Sequence, residues 1–105
     1  MDKVNHTETR LVDATEQVLR TAIPDRRIFS LRLPMHSRLL NVYTLGNLTY
    51  LDYAAPLSST EDDWLNFHRI AAGDPWPKAS GWRMELVGSF VSAGRCYHII
   101  KQVAY

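Results

Sequence analysis

The sequence has few of the features that place a protein outside the cell or in a membrane. It contains one cysteine, Cys96, so no disulfide can form within the chain. The first ten residues, MDKVNHTETR, lack the apolar segment of a secretion signal. No apolar run approaches the ~18 residues that a membrane helix needs. We therefore expect a cytoplasmic protein with no membrane partner.

An excess of charge of one sign is also missing. Twelve Lys and Arg residues are balanced by eleven Asp and Glu residues, which leaves a formal charge of +1. A nucleic-acid or membrane site would therefore have to be a local patch. With 105 residues, of which 46% are hydrophobic and 22% charged, the composition predicts one globular domain over residues 1–105.

No catalytic or metal-binding motif stands out in the sequence. Cys96 and His98 are two positions apart on a predicted strand, but His6, His36 and His68 lie in other elements and give no ligand spacing. Side chains at positions i and i+2 of a strand stand about 6–7 Å apart, too far for a thiol–imidazole pair to share a proton. The sequence thus indicates no catalytic residue, metal or cofactor, and it favours a protein that is not an enzyme.

Two segments have the apolar spacing of amphipathic helices. In the first, Asn5 and Glu8 can form a capping box, and apolar residues then recur at helical spacing up to Pro24. The second, PLSSTEDDWLNFHRIAAGDP, has capping residues, then an acidic first turn, and Gly73 at its end. We expect one helix ending before Pro24 and another from residue 59 or 60 to residue 72.

The remaining segments have the alternating pattern of strands. One strand is predicted from Arg27 to Leu33, and two more are joined by the turn Gly46-Asn47, which places Leu45 opposite Leu48. Two final strands are joined at Ala93-Gly94. The predicted order is α-β-β-β-α-β-β.

This order predicts the α+β class. Strands linked by tight turns pair antiparallel, and two helices with one apolar stripe each can cover only one face of a sheet. We expect a two-layer sandwich in which both helices lie on one face of a five-stranded, mainly antiparallel sheet.

The last hairpin supports the leading functional hypothesis, a non-enzymatic binding or adaptor protein that acts through protein–protein contacts as a homodimer. Pairing Val91 with Cys96 and continuing the alternation directs Trp82, Met84 and Leu86 to the core. The other face is too apolar for a sheet face in contact with water and too polar for a core. Such a mixed composition is typical of protein–protein interfaces. Its proposed contact residues are Arg83, Glu85, Val87, Val91, His98 and Ile100. Because the chain ends at Tyr105, the edge of the last strand is a second place for pairing.

Two alternatives remain open at this stage. The first is a small-ligand-binding protein, or a small enzyme, with an aromatic pocket between the second helix and the sheet. The pocket residues would be Trp64, His68, Trp76, Tyr43 and Tyr50, with Trp76 held between two prolines. The second is nucleic-acid binding through an arginine patch, which is less favoured and requires one continuous exposed surface. Its residues would be Arg26, Arg32 and Arg38.

Overall fold

The computed structural model describes residues 14–105, and the regular structure in this range consists of seven β-strands. They are β1 (Glu16–Ala22), β2 (Ile28–Pro34), β3 (Arg38–Leu45), β4 (Leu48–Pro56), β5 (Asp62–Ala71), β6 (Trp82–Ser92) and β7 (Arg95–Ala104). None of residues 14–105 forms a helix capable of spanning a lipid bilayer.

The strands form two antiparallel sheets that pack face to face. The three-stranded sheet has the order β1-β4-β3, and the four-stranded sheet has the order β2-β5-β7-β6. Buried side chains from both sheets form one core between them, in which the rings of Phe29 and Phe67 stack 5.2 Å apart. The described chain is therefore all-β, and the prediction of an α+β sandwich with two helices and a five-stranded sheet was wrong.

The first predicted helix is contradicted where the structure describes it, because residues 16–22 form β1. Strand β1 pairs with β4, and Leu19, opposite Tyr53, packs against the core. Val18 is on the other side of the strand and is exposed. Apolar residues on both sides of one strand can have the same spacing in the sequence as the apolar residues of an amphipathic helix. The predicted capping box, Asn5 and Glu8, lies outside the described residues.

The second predicted helix is strand β5, again because both faces of the strand are apolar. Leu65 and Phe67 face the core. Their neighbours Trp64 and Ile70 face outward together with His68. When both faces of a strand carry apolar side chains, some of these side chains fall at positions i, i+3 and i+4. The same spacing is typical of an amphipathic helix.

The predicted strands and their turns agree better with the structure. The strand predicted from Arg27 to Leu33 is β2, and Leu45 pairs with Leu48 across the Gly46-Asn47 turn. In the last hairpin, Val91 pairs with Cys96 as expected. Both turns carry the residues that tolerate positive φ, with Gly46 at 60° and Gly94 at 75°.

An irregularity in β6 changes which side chains reach the core. The register shifts between Leu86 and Gly88, so that Leu86 pairs with Ile100 and Gly88 with Ile99. Such a bulge reverses the in–out alternation on one side of itself. Trp82, Met84 and Leu86, predicted as core residues, therefore face outward, and Leu86 is 58% exposed.

The last strand is not at an edge of the sheet. Strand β7 lies between β5 and β6, so its backbone groups already have partners on both sides. The edge strands of this sheet are β2 and β6, and β6 runs alongside β3 of the other sheet. The expectation that the final strand offers a free edge for pairing is therefore incorrect.

Candidate binding surface

The outer face of the four-stranded sheet, which points away from the core, is built from alternate residues of β2, β5, β7 and β6. Its middle row crosses all four strands through direct cross-strand neighbours. These are Ile28, His68, Ile100 and Leu86. Since the two end members of this row are exposed aliphatic side chains, the surface is apolar even at the edges of the sheet.

The polar side chains of this face bond to one another along the sheet. His68 Nε2 lies 2.9 Å from Gln102 Oε1, and Ser30 Oγ donates to Asn66 Oδ1 at 2.6 Å. Arg32 is paired with Asp62 at 3.2 Å. Because these polar groups bond to neighbours on the same face, the face has little unpaired charge.

One segment crosses this face. Strands β5 and β6 both run antiparallel to β7 and are therefore parallel to each other. The connection between them, residues 72–81, must return along the length of the sheet, and we call it the strap. Its first turn is fixed by Asp74, which accepts a hydrogen bond from the Ala71 backbone N–H at 2.8 Å.

Trp76 lies in the middle of the strap and over the middle of the sheet. On one side it borders a cavity with Ile28 and His68, and on the other side a cavity with Leu86 and His98. Ile100, at the centre of these residues, points away from the core and is nevertheless fully buried. We attribute this burial to the strap, with Trp76 as its largest side chain. The indole itself is 49% exposed, in agreement with the expectation of a partly presented ring.

The exposed apolar side chains of the face and strap together form what we call the apolar face. Each of them is between 38% and 68% exposed. They are Ile28, Trp64, Trp76, Trp82, Leu86 and Val91. All three tryptophans of the sequence belong to this set. Large exposed apolar patches on a folded protein mark surfaces that bind other molecules.

The opposite outer face, on the three-stranded sheet, also has exposed aliphatic side chains such as Val18 and Leu45, but a polar network occupies much of it. The Arg20 guanidinium lies 4.4 Å from the centre of the Tyr50 ring, and the Tyr43 hydroxyl donates to Asp52 at 2.9 Å. The hydrogen bond to Tyr43 is the main cause that raises the pKa of Arg20 above its ordinary value, so this group stays cationic. We see in this face a network of side chains that satisfy one another.

The predicted aromatic pocket is divided between these two faces. Trp64, His68 and Trp76 lie on or over the four-stranded sheet, whereas Tyr43 and Tyr50 lie on the other side of the sandwich. The core separates the two groups, and the helix that was to form one wall is strand β5. The structure therefore does not bring the five residues together.

The predicted dimer residues are divided in a similar way by the bulge in β6. Val91, His98 and Ile100 lie on the outer face, although Ile100 is buried there. The other three residues point to the inner side. They are Arg83, Glu85 and Val87, of which Val87 packs against the core. Arg83 and Glu85 already form an ion pair with each other at 2.9 Å.

The predicted arginine patch is not continuous. Arg32 is on the outer face of the four-stranded sheet, and its charge is compensated by Asp62. Arg38 begins β3 and pairs with Glu16 at 2.9 Å on the outer face of the other sheet. Arg26 lies in the loop between β1 and β2. The arrangement lacks the single exposed surface that nucleic-acid binding required.

Residues 14–105 contain no group of three or more His, Cys, Asp or Glu side chains arranged to hold a metal ion. Compared with known protein families, curated proteins and solved structures, the chain shows no significant match. Its function must therefore be argued from its own residues.

Sequence reasoning missed the outward orientation of Leu86 and Trp82. A signal for it was present in Gly88, since a glycine inside a strand often marks a bulge.

Proposed function

We propose that the protein is a binding module that acts through its apolar face and that its partner is a second copy of the chain. The observation that supports this is the contrast between the two outer faces. One carries six exposed apolar side chains, including every tryptophan. The other carries mutually bonded polar groups beside exposed aliphatic side chains such as Val18 and Leu45, and none of the tryptophans. A cluster of exposed tryptophans on one face favours that face as the place where a partner binds.

The composition of the apolar face is that of an interface core. Tryptophan is the residue type most enriched among side chains that dominate binding energy, and charged residues are depleted at interface centres. The Arg32–Asp62 pair and the lateral hydrogen bonds leave little charge for an acidic or basic partner to recognise. A nearly neutral, apolar surface is complementary to itself, which suits a two-fold contact.

The strap adds rigidity to this surface. Pro75 and Pro77 restrict the backbone on both sides of Trp76, and the half-buried ring is held against the sheet. An anchor fixed before binding loses less conformational entropy when the complex forms. We further place the protein in the cytoplasm, since the free thiol of Cys96 suits a reducing compartment.

Sedimentation equilibrium at micromolar concentration tests the proposal. We expect a species of twice the chain mass of 12.0 kDa. Trp64→Ser should shift the equilibrium to the monomer, because Trp64 is 63% exposed on the outer side of β5 and its replacement removes contact area without opening the core. Val18→Ser is the matched control, because Val18 is 65% exposed on the opposite outer face.

Two outcomes would contradict the proposal. A single species of 12.0 kDa over the whole concentration range would exclude self-association. A dimer that Trp64→Ser leaves intact and Val18→Ser dissociates would place the interface on the other sheet.

A further inference from the structure

A cavity at one end of the sandwich is separate from the apolar face. It opens between the loop that follows β1 and the turn that joins β3 to β4, and its volume is about 280 Å³. One part of its wall is apolar, formed by Ile23, Leu48 and Phe90. Another part consists of polar side chains from Asn47, Thr49 and Ser92. The cavity therefore has room and chemistry for a small amphipathic molecule.

Arg69 supplies the positive charge in this cavity. It occupies an inward-facing position of β5, two residues after the buried Phe67, and its side chain is only 17% exposed. The guanidinium carbon lies 4.2 Å from the centre of the Tyr97 ring and 5.8 Å from that of Phe90. These two rings stack on each other at 5.4 Å, and their cation–π contacts with the guanidinium help to hold it in place.

The charge of Arg69 is balanced by a carboxylate whose side chain is far more exposed than that of the arginine. Asp25 lies in the loop between β1 and β2, its side chain is 89% exposed, and it forms an ion pair with Arg69 Nη1. Within residues 14–105, this is the one side-chain partner of the guanidinium, which carries five N–H donors. Arg95 also lies over the Tyr97 ring, at 5.6 Å, and adds positive charge nearby.

We propose that this cavity binds a small organic carboxylate, whose carboxyl group takes the place of Asp25 on Arg69. A planar guanidinium fixed by aromatic rings matches a carboxylate in two parallel hydrogen bonds. The apolar body of the ligand lies against Ile23, Leu48 and Phe90, where it removes apolar surface from water. Asp25 then competes with the ligand for Arg69, and it forms the ion pair with Arg69 again when the ligand dissociates.

Titration calorimetry with benzoate tests this proposal, with benzamide as the uncharged ligand of the same shape. We expect benzoate to bind and benzamide to show no measurable heat. Asp25→Asn removes the competing carboxylate, and because exposed ion pairs contribute modestly, it should tighten benzoate binding by about 2–10-fold. The substitution is on an exposed side chain, so the fold is expected to persist.

Asp63→Asn is the matched control, because it makes the same change of net charge at an exposed position on β5 whose cross-strand partner is Leu33. It should leave benzoate binding unchanged. An equal gain in Asp63→Asn would show a general charge effect and overturn the site. Equal binding of benzamide, or no benzoate binding to Asp25→Asn, would also overturn it.

Arg69→Met tests the guanidinium directly and should abolish benzoate binding. If this variant does not fold, the comparison of Asp25→Asn with Asp63→Asn decides the question without it. Amide chemical shifts provide a second measurement, since benzoate should move the signals of Thr49 and Ser92. Shifts confined to the apolar face would contradict the assignment.

Discussion

At the scale of the single residue, Gly88 determines how closely the edges of the two sheets approach. A Cβ atom at this position would lie 3.3 Å from both Cβ and Cγ2 of Val42, tighter than most contacts of real Cβ atoms. Val42 is buried in β3, so it has little room to move. The glycine therefore permits β6 to lie against β3, in addition to marking the bulge.

Gly88→Ala should destabilise the protein by about 1–2 kcal/mol, since overpacking a well-filled contact is costly even for one methyl group. The backbone at Gly88 does not have a positive φ, so the loss would report on the contact with Val42. Urea unfolding of Gly88→Ala, Val42→Ala and the double variant measures it. We expect the double variant to lose less than the sum of the two single variants. Strictly additive losses would mean that the two sites do not touch.

At the scale of the element, two cross-strand neighbours that both point outward, Ile100 and Leu86, differ in burial. Ile100 points outward yet is fully buried beneath the strap, whereas Leu86, beside it on β6, is 58% exposed. A strict alternation through β6 would have buried Leu86. The burial of a residue in this sheet therefore depends on the strap and the bulge as well as on the face of the strand.

Ile100→Ala should cost about 2–5 kcal/mol of unfolding free energy, while Leu86→Ala should cost less than ~1 kcal/mol. The first leaves a cavity between the sheet and the strap, and the second removes a side chain that is mostly in water. Thermal or urea unfolding of the two variants compares them directly. Similar losses, or a larger loss in Leu86→Ala, would show that β6 continues in register without the bulge.

The elements also show how far the sequence could predict the fold. The two hairpins were predictable near their turns, because Gly46-Asn47 and Ala93-Gly94 fix the local register. Farther from the turns, bulges in β3 and β6 shift the pairing. Strand β5 was not predictable, because its outer face is apolar for reasons that lie outside β5. Ile70 borders the strap, and Trp64 belongs to the exposed apolar face. Local periodicity contains no information about which distant segment covers a strand.

The same limit applies to the candidate sites. Trp76 was predicted to be partly exposed from its two neighbouring prolines, and it is. Asp25 and Arg69, which the structure brings together, are 44 residues apart and belong to no spacing motif. Their contact depends on the antiparallel pairing of β2 with β5, in which the Arg69 backbone N–H donates to the Arg27 carbonyl at 2.7 Å. Only the topology of the sheets reveals this pair.

At the scale of the whole molecule, the two sheets share one core, and this predicts that they unfold together. The core combines Leu51 and Val42 of the three-stranded sheet with Phe67 and Ile99 of the four-stranded sheet. The tryptophans, however, all lie on the four-stranded sheet or its strap. Tryptophan fluorescence therefore observes one sheet, while far-ultraviolet circular dichroism observes the backbone of both.

The effect of a substitution in the three-stranded sheet can thus be measured through the fluorescence of tryptophans on the four-stranded sheet. Leu51→Ala removes a fully buried side chain and should lower the free energy of unfolding by about 2–5 kcal/mol. Because both sheets contribute to one core, we expect them to unfold in a single transition, so the tryptophan fluorescence midpoint in urea should fall as far as the circular dichroism midpoint. Val18→Ala, on the exposed face of the same sheet, should move either midpoint little. If Leu51→Ala shifted the circular dichroism transition and left the fluorescence transition in place, the four-stranded sheet with its strap would have to be stable alone.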